Sequence, residues 1–349
     1  MRVLTFEIPT DEPESDGTLE WDSTTVVVVE VEAAGETGLG YTYADAAAAQ
    51  LIESKLAPLL NGHEPMSPPA TWMRMRAALR NVGQQGLGAM ALSAVDIALW
   101  DLKAKLLGLT LADALPRFHD AVPLYGSGGF TSYSLERLQD QLRGWVEQGF
   151  GRVKIKVGRD PGSDPARLDA AREAIGPNVE LMVDANGAFD PRQALAWAQR
   201  YHEEWNVTWF EEPVSSEDLE GMAFVRDHAP PGITIAAGEY AWDLADLARM
   251  ARCVHVLQAD VTRCGGVTAF IRADGIARAH GIPLSAHCAP AASLHACCAC
   301  ESLAHLEYFH DHTRIESRLF DGVPAPSGGL LRPDAERTGL GLALARAVA

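Results

Sequence analysis

Asp184, Glu211 and Glu239 recur at intervals of 27 and 28 residues, and each closes a short apolar run. Three carboxylates brought together without His or Cys suit a hard, oxygen-seeking cation, magnesium first and manganese second. Unrelated helix caps are the plainer alternative. Acidic groups at the ends of three neighbouring strands would, however, repel one another without a cation between them. Upstream, Lys154-Ile155-Lys156 places two amines two residues apart, so on a strand both point the same way. Crowded ammonium groups lower each other's pKa, which predicts one amine free to act as a base near neutral pH. The alternative is a lysine pair on a solvated edge strand. Downstream, Asp260 and His287 are spaced to pair across adjacent strands. An aspartate that accepts from an imidazole fixes its tautomer and raises its basicity. A purely structural pair is the competing reading. Glu307 closes the series.

Chemistry of this kind needs elements that aim side chains at one place. From residue 122 onward, short apolar strands are predicted at 122–125, 152–157, 179–183, 207–210, 234–237, 255–258, 283–286 and 305–309. Helices are predicted between most of them, including 165–175, 191–204, 244–253, 268–280 and 291–304. Strand–helix alternation argues for a parallel sheet, and eight strands favour a closed barrel over a doubly wound sheet. No Gly-rich phosphate loop follows the first strand to support the doubly wound alternative. In such a barrel the polar residues at the C-terminal strand ends share one mouth. Ahead of it lie a β-branched strand at 24–31 and helices at 44–60, 66–79 and 91–105. The acidic stretch Asp11-Glu12-Pro13-Glu14-Ser15-Asp16 reads as a solvated loop. The tail from Arg314 reads as irregular chain folded back over the first domain.

The formal net charge of −18 argues against nucleic acid and anionic membranes as partners. No apolar run approaches the roughly 20 residues that span a bilayer. The first residues lack a secretory segment, so a cytoplasmic location is the default expectation. All six cysteines fall after residue 250, with no disulfide framework in view. Cys297, Cys298 and Cys300 could form a zinc site, but buried cysteine more often packs as a small apolar residue.

Taken in order and spacing, these motifs resemble the enolase superfamily, in particular the mandelate-racemase subgroup of the mandelate racemase/muconate lactonizing enzyme family. The resemblance covers essentially the whole chain. It implies a (β/α)7β TIM-like barrel at 119–319. An α+β capping domain would occupy 1–118 and be completed by 320–349. Lys154-x-Lys156 matches the family's paired lysines, and Asp184, Glu211 and Glu239 fall where it places magnesium ligands. Asp260 and His287 match its Asp–His dyad, and Glu307 its eighth-strand substrate-binding acid. The stretch 91–105 is similar to the helix at its domain junction. Two residues depart: Arg263 stands where the family often has Lys, and Thr110 where it often has Pro.

What the resemblance implies is a magnesium-dependent enzyme that removes the proton next to a carboxylate. Lys156 and His287 would act as bases from opposite sides. Lys154, and Glu307 if protonated, would stabilise the charge that develops. Dehydration of an acid sugar is the favoured outcome, with a racemase or epimerase, or a cycloisomerase of a sugar lactone, as alternatives. A hydroxyl-rich substrate would find polar partners in Asn186, Arg263 and the loop at 126–133. The segment 10–22, with Gly17 and Trp21, is similar to the mobile loop that closes over substrate. The family also implies a homo-oligomer. A binuclear-metal hydrolase would show His-x-His on the first barrel strand, which here reads Val122-Pro123-Leu124-Tyr125. A non-catalytic binding protein would have no need of Lys156 and His287 facing each other.

Overall fold

The computed structural model describes residues 1–62 and 64–346; positions 347–349 of the expected tail lie outside the described residues. The chain opens with three long antiparallel strands, β1 (Arg2–Ser15), β2 (Glu20–Ala33) and β3 (Glu36–Tyr43), in the order β1-β2-β3. The strand expected at 24–31 is the centre of β2, where Val26, Val27, Val28 and Val29 are fully buried. The acidic segment is a correction. It is not a loop but the end of β1, with Glu14 opposite Trp21 and Ser15 opposite Glu20. Only residues 16–19 turn. There the Asp16 carboxylate accepts the N–H groups of Thr18 and Leu19, each at 2.7 Å. The register slips between Pro9 and Glu14, which gives β1 extra residues.

A helical run follows. It begins as α1 (Ala47–Leu51), widens over Ile52–Leu56 and tightens at Ala57–Leu59, where one regular helix was expected. Then come α2 (Pro68–Ala78), α3 (Leu87–Leu106) and the short α4 (Leu111–Ala114). α3 is buried around most of its circumference because it is the wedge between the first sheet and the rest. On the sheet side, a Cβ on Gly40 would lie 2.2 Å from the Ala94 carbonyl oxygen and 2.5 Å from the Ala98 nitrogen. On the other side, the buried Asp96 accepts both the N–H (2.8 Å) and the hydroxyl (2.7 Å) of Thr268. Asp101 accepts from the N–H groups of Leu39 and Leu340 at 2.7 and 2.6 Å, and Lys105 approaches to 2.7 Å. Each buried carboxylate is thus satisfied by the segments it joins.

The barrel alternates strictly. Its strands are β4 (Val122–Gly128), β5 (Arg152–Lys156), β6 (Glu180–Asp184), β7 (Val207–Glu211), β8 (Thr234–Ala237), β9 (Val256–Ala259), β10 (Leu284–Ala286) and β11 (Leu303–Phe309). Between them run α5 (Leu135–Glu147), α6 (Asp164–Ile175), α7 (Pro191–Trp205), α8 (Leu219–His228), α9 (Leu244–Met250), α10 (Gly266–His280) and α11 (Pro290–Cys298). Neighbouring strands are parallel, and β11 pairs with β4 to close the ring. Tyr125, Met182, Trp209, Ala236 and Val256 fill the interior below the mouth. α11 ends at Cys298, well short of the helix expected to 304, because the next strand already begins at Leu303. All six cysteines are buried and unpaired.

The tail is also more ordered than expected. α12 (His310–Leu319) follows the last barrel strand directly, and β12 (Phe320–Asp321), β13 (Leu330–Leu331) and β14 (Ala343–Leu344) come after it. β13 lies antiparallel against β4, and β12 pairs with β14. Among the described residues, no helix is long and apolar enough to cross a membrane.

The packing of α3 on β3 is testable. Gly40→Ala places a methyl group against helix backbone that cannot rotate away. It should lower unfolding stability by about 1–3 kcal/mol, read as a reduced denaturant midpoint. An unchanged midpoint would mean that α3 does not sit on this strand.

Candidate active site

Parallel register brings the predicted residues to one level. Lys156 lies opposite Asp184, and Asp184 opposite Glu211. Glu239 stands two residues beyond the end of β8; Asp260 and His287 follow β9 and β10 directly, and Glu307 is on β11. The backbone turns sharply as the strands leave the barrel. Asn186, Glu212, Cys288 and Ala289 all take positive φ, between 38° and 48°. Such conformations persist only where the surroundings enforce them. Gly238, at φ 138°, has no room for a side chain: a Cβ would lie 2.1 Å from the Gln258 carbonyl oxygen.

Asp184, Glu211 and Glu239 each offer an oxygen within 4.8 Å of the others, and all three are buried. The fit to a cation rests on the donor set and its charge. Six carboxyl groups (Asp184, Glu211, Glu212, Glu239, Asp260 and Glu307) crowd this mouth against three permanent cations, Lys154, Lys156 and Arg263. The oxygens Oε2 of Glu239 and Oε1 of Glu212 lack an aligned hydrogen bond, although His287 Nε2 stands 2.7 Å from the former. An all-oxygen, anionic set of this kind fits a hard divalent ion.

The cations are held tightly. Lys154 Nζ lies 2.5 Å from Glu211 Oε1, 2.9 Å from Glu307 Oε1 and 3.6 Å from Asp184 Oδ2. Lys156 Nζ lies 2.6 Å from Asp184 Oδ2. His287 Nδ1 meets Asp260 Oδ2 at 2.7 Å, while Asp260 Oδ1 accepts the N–H and hydroxyl of Thr262 at 2.6 and 2.7 Å. The dyad's aspartate is thus fixed on both oxygens. Arg263 stands 3.5 Å from both Glu239 and Asp260, with its guanidinium 5.2 Å from the Tyr240 ring centre.

Burial opposes every charge here, and neighbours decide the outcome. It disfavours both ammonium groups, but Glu211 beside Lys154 and Asp184 beside Lys156 outweigh it and hold both pKa values above the ordinary lysine value. The expected depression by mutual crowding is therefore corrected. Each amine has its own carboxylate oxygen within 2.6 Å, and that attraction exceeds the repulsion between the two. Glu307, expected to donate if protonated, is a carboxylate. Burial would raise it, yet Lys154 and then His287 keep it below the usual range. Burial also opposes the imidazolium of His287, but Cys288, Glu239, Glu307 and the bond to Asp260 hold it well above an ordinary histidine. The excess of acid shows in Glu212. Burial and the nearby Glu239 keep its carboxyl well above the usual carboxylate range.

Above these groups opens a cavity of about 420 Å³, a normal size for a small-molecule site. Lys156, Glu239, His287, Asn186, Arg263 and Trp21 all line it. Lys154 and Glu307, expected to touch substrate, are instead buried beneath the cavity floor and do not line it. Asn186 donates its backbone N–H to Asp184 at 2.9 Å, and its side-chain oxygen has no partner. The indole N–H of Trp21 is already given to Glu14 at 3.0 Å, so Trp21 offers the cavity its ring.

The loop at 126–133 is a further correction. It supplies no lining residue but seats the β1–β2 hairpin, through Thr131 N–H to Ser15 O at 2.8 Å and Thr131 hydroxyl to Asp16 O at 3.0 Å. The tip then rests on the ends of β5 and β6, where a Cβ on Gly17 would lie 2.1 Å from Ala185 O and 2.8 Å from Val157 O.

Sequence reasoning passed over several lining residues. Cys288 Sγ lies 3.3 Å from both His287 Nε2 and Glu307 Oε2. His312 stacks on Tyr43 with ring centres 3.4 Å apart, and Asp311 accepts the Thr24 hydroxyl at 2.6 Å. The polar pair that follows the eighth strand was a usable signal for Asp311 and His312. Tyr43 and Thr24 reach the cavity only through tertiary packing, which no local pattern records.

Residues 7–115 match the N-terminal domain of mandelate racemase/muconate lactonizing enzymes, and residues 137–348 match a domain described as enolase C-terminal domain-like. The D-galactarolactone cycloisomerase of Agrobacterium fabrum is 32% identical over 82% of this chain and 77% of its own length. The L-talarate/galactarate dehydratase of Salmonella typhimurium is 33% identical over 81% of this chain and 73% of its own. A mandelate racemase/muconate lactonizing enzyme-like protein from Rubrobacter xylanophilus superposes with a TM-score of 0.98 at 63% identity, covering 99% of this chain and 96% of that one. A racemase from Streptomyces coelicolor with bound magnesium gives 0.90 at 30% identity, covering 98% and 96%.

The seat of the hairpin makes a prediction. Gly17→Ala forces the tip away from the mouth at a cost of about 1–3 kcal/mol, or roughly tenfold or more in binding. A raised KM is the expected result, with an unfolding midpoint lowered by no more than that cost. An unchanged KM would mean that the tip does not close on the cavity.

Proposed function

Because the chain belongs to the mandelate racemase/muconate lactonizing enzyme family of the enolase superfamily, we propose that it dehydrates an acid sugar to a 2-keto-3-deoxy acid. The observation that carries this reading is that Lys156 and His287 line one cavity, flanking a triad of buried carboxylates. Asp184, Glu211 and Glu239 would hold Mg²⁺, and Mn²⁺ shares the same oxygen preference. A divalent ion there supplies a Lewis acid that draws negative charge from the substrate carboxylate.

The protein's own groups do the rest. The carboxylates that hold Lys156 and His287 protonated would give up part of that hold on binding a divalent ion, which frees one of the pair as a base. That group takes the α-proton, and the C–H electron pair becomes the new C=C bond. The other gives a proton to the β-hydroxyl, the C–O bond breaks, and water leaves. The enol product then ketonises. Asp260 keeps Nδ1 of His287 engaged, so Nε2 is the atom that exchanges protons with substrate. Lys154, fixed by Glu211 and Glu307, contributes positive charge from beneath the floor where the enediolate develops. Arg263 and Asn186 would hold substrate oxygens at the wall. The net charge of −18 supports a small-molecule partner over nucleic acid.

A second reading is cycloisomerisation of a sugar lactone, favoured by the 32% identity to an enzyme named for that reaction. The same pair would then move a proton while an internal C–O bond breaks, with no net loss of water. Racemisation or epimerisation is the third outcome, in which the second base returns a proton to the opposite face.

Incubation with an acid-sugar panel and Mg²⁺ in deuterium oxide tests the reading. Keto-deoxy acid release or deuterium at the α-carbon is expected; neither, across the panel, ends it. Lys156→Ala and His287→Asn should each lower turnover by at least about 10²-fold without weakening magnesium binding, since each removes a cation that competes for a ligand carboxylate. Wild-type rates in either variant would remove that residue from the chemistry. Glu239→Ala should weaken magnesium binding in a calorimetric titration, and unaltered binding would remove it from the ligand set.

A further inference from the structure

Resting on that reading, we propose that the substrate is a monocarboxylic acid sugar whose far end carries hydroxyl groups and no second carboxylate. The argument comes from the wall that faces the catalytic end. It is built by the β1–β2 hairpin, the end of β3 and the start of α12, and its charged groups are Asp16, Asp45 and Asp311. Among the described residues, no lysine or arginine lines it. The only such cations in the cavity are Lys156 and Arg263, at the catalytic end, and each is already matched to carboxylates there.

Two cations that touch residues of this wall from outside are also committed. Arg314 is shared by Asp311 and Asp11, and Arg159 by Glu20 and the Leu19 carbonyl. Behind Trp21, burial and then the charge of Asp311 push the Glu14 carboxyl up to about 8.

The same wall is well furnished for hydroxyls. His312 Nδ1 accepts the Ala289 N–H at 3.2 Å, which leaves its Nε2 as the protonated, donating atom. Burial keeps that ring neutral, pushing it down to about 3. Thr24 and Ser23 add hydroxyls, and the three aspartates accept. A substrate hydroxyl can donate to a carboxylate, or to the Thr24 oxygen whose own hydrogen goes to Asp311, and accept from His312. A second carboxylate can only accept, and would be desolvated beside Asp16 and Asp45 and beside an Asp311 that shares Arg314 with Asp11.

The test uses the magnesium-loaded enzyme and matched pairs of aldonates and aldarates with the same chain length and configuration. Keto acid release and α-deuterium exchange are the readouts. The monoacid should exceed its matched diacid by about 100-fold or more in kcat/KM, as expected when like charges face each other across a closed site. Asp45→Asn and Asp311→Asn should each narrow that ratio, with the gain on the diacid; Asp45 is exposed, so its variant keeps the test open if the buried Asp311 variant fails to fold. A diacid turned over as well as its monoacid overturns this inference and leaves acid-sugar dehydration standing. A ratio unmoved in the Asp45 variant and in every soluble Asp311 variant also overturns it. If neither class exchanges its α-proton, the acid-sugar reading falls and this inference falls with it.

Discussion

Excess negative charge, confined to one end of a closed sheet, is the constraint from which the rest of this structure follows. Six carboxyl groups meet three permanent cations, and all but Arg263 are buried. Charges so placed are costly unless paired. The register of β5, β6 and β7 fixes Lys156, Asp184 and Glu211 at one level, so the groups cannot relax apart without unpairing strands. The molecule answers with ion pairs at 2.5–2.9 Å and with a Glu212 carboxyl that burial and Glu239 push above the usual carboxylate range. What is left is a set of oxygens that attracts a cation and two nitrogens poised beside it.

The two walls of the cavity come from different kinds of structure. The barrel wall is built from strand ends, whose positions are set by backbone hydrogen bonds and vary little. The opposite wall comes from a hairpin, a strand end and a helix start, joined by contacts such as Tyr43 on His312 and Thr24 on Asp311. α3 ties the two together by satisfying Asp96 from one side and Asp101 from the other. Reaction chemistry and recognition thus rest on separate segments that share a single wedge.

The barrel was largely legible in the sequence. β8 spans the predicted residues, and the other strands begin or end within a few residues of expectation, because parallel barrel strands are continuous apolar runs closed by a polar residue. The carboxylates and the Asp–His dyad were legible for the same reason, as the acids and imidazole at the ends of such runs, and the lysine pair from its two-residue spacing on a strand. Much of the first domain was not. β1 carries the exposed Asp11 and Glu12, and Glu14, which reads as solvated until Trp21 of β2 is there to pair with it and bury it. The helical run from Ala47 changes pitch at Ile52, which no propensity signals. The protonation of Lys156 depended on a neighbour 28 residues away, and repulsion from Lys154 was the only term a local reading could supply.

The hairpin that seats on the mouth is a ladder of two paired strands, not a slack connection. A ribbon of that kind resists bending in its own plane and carries any displacement along its length. Whatever uncovers the cavity on this side must move both strands together. The natural place for such an arm to flex is the slipped stretch between Pro9 and Glu14, where rungs are missing. Entry and exit on this side would then be set by the stiffness of a backbone lever, several residues removed from the atoms that react.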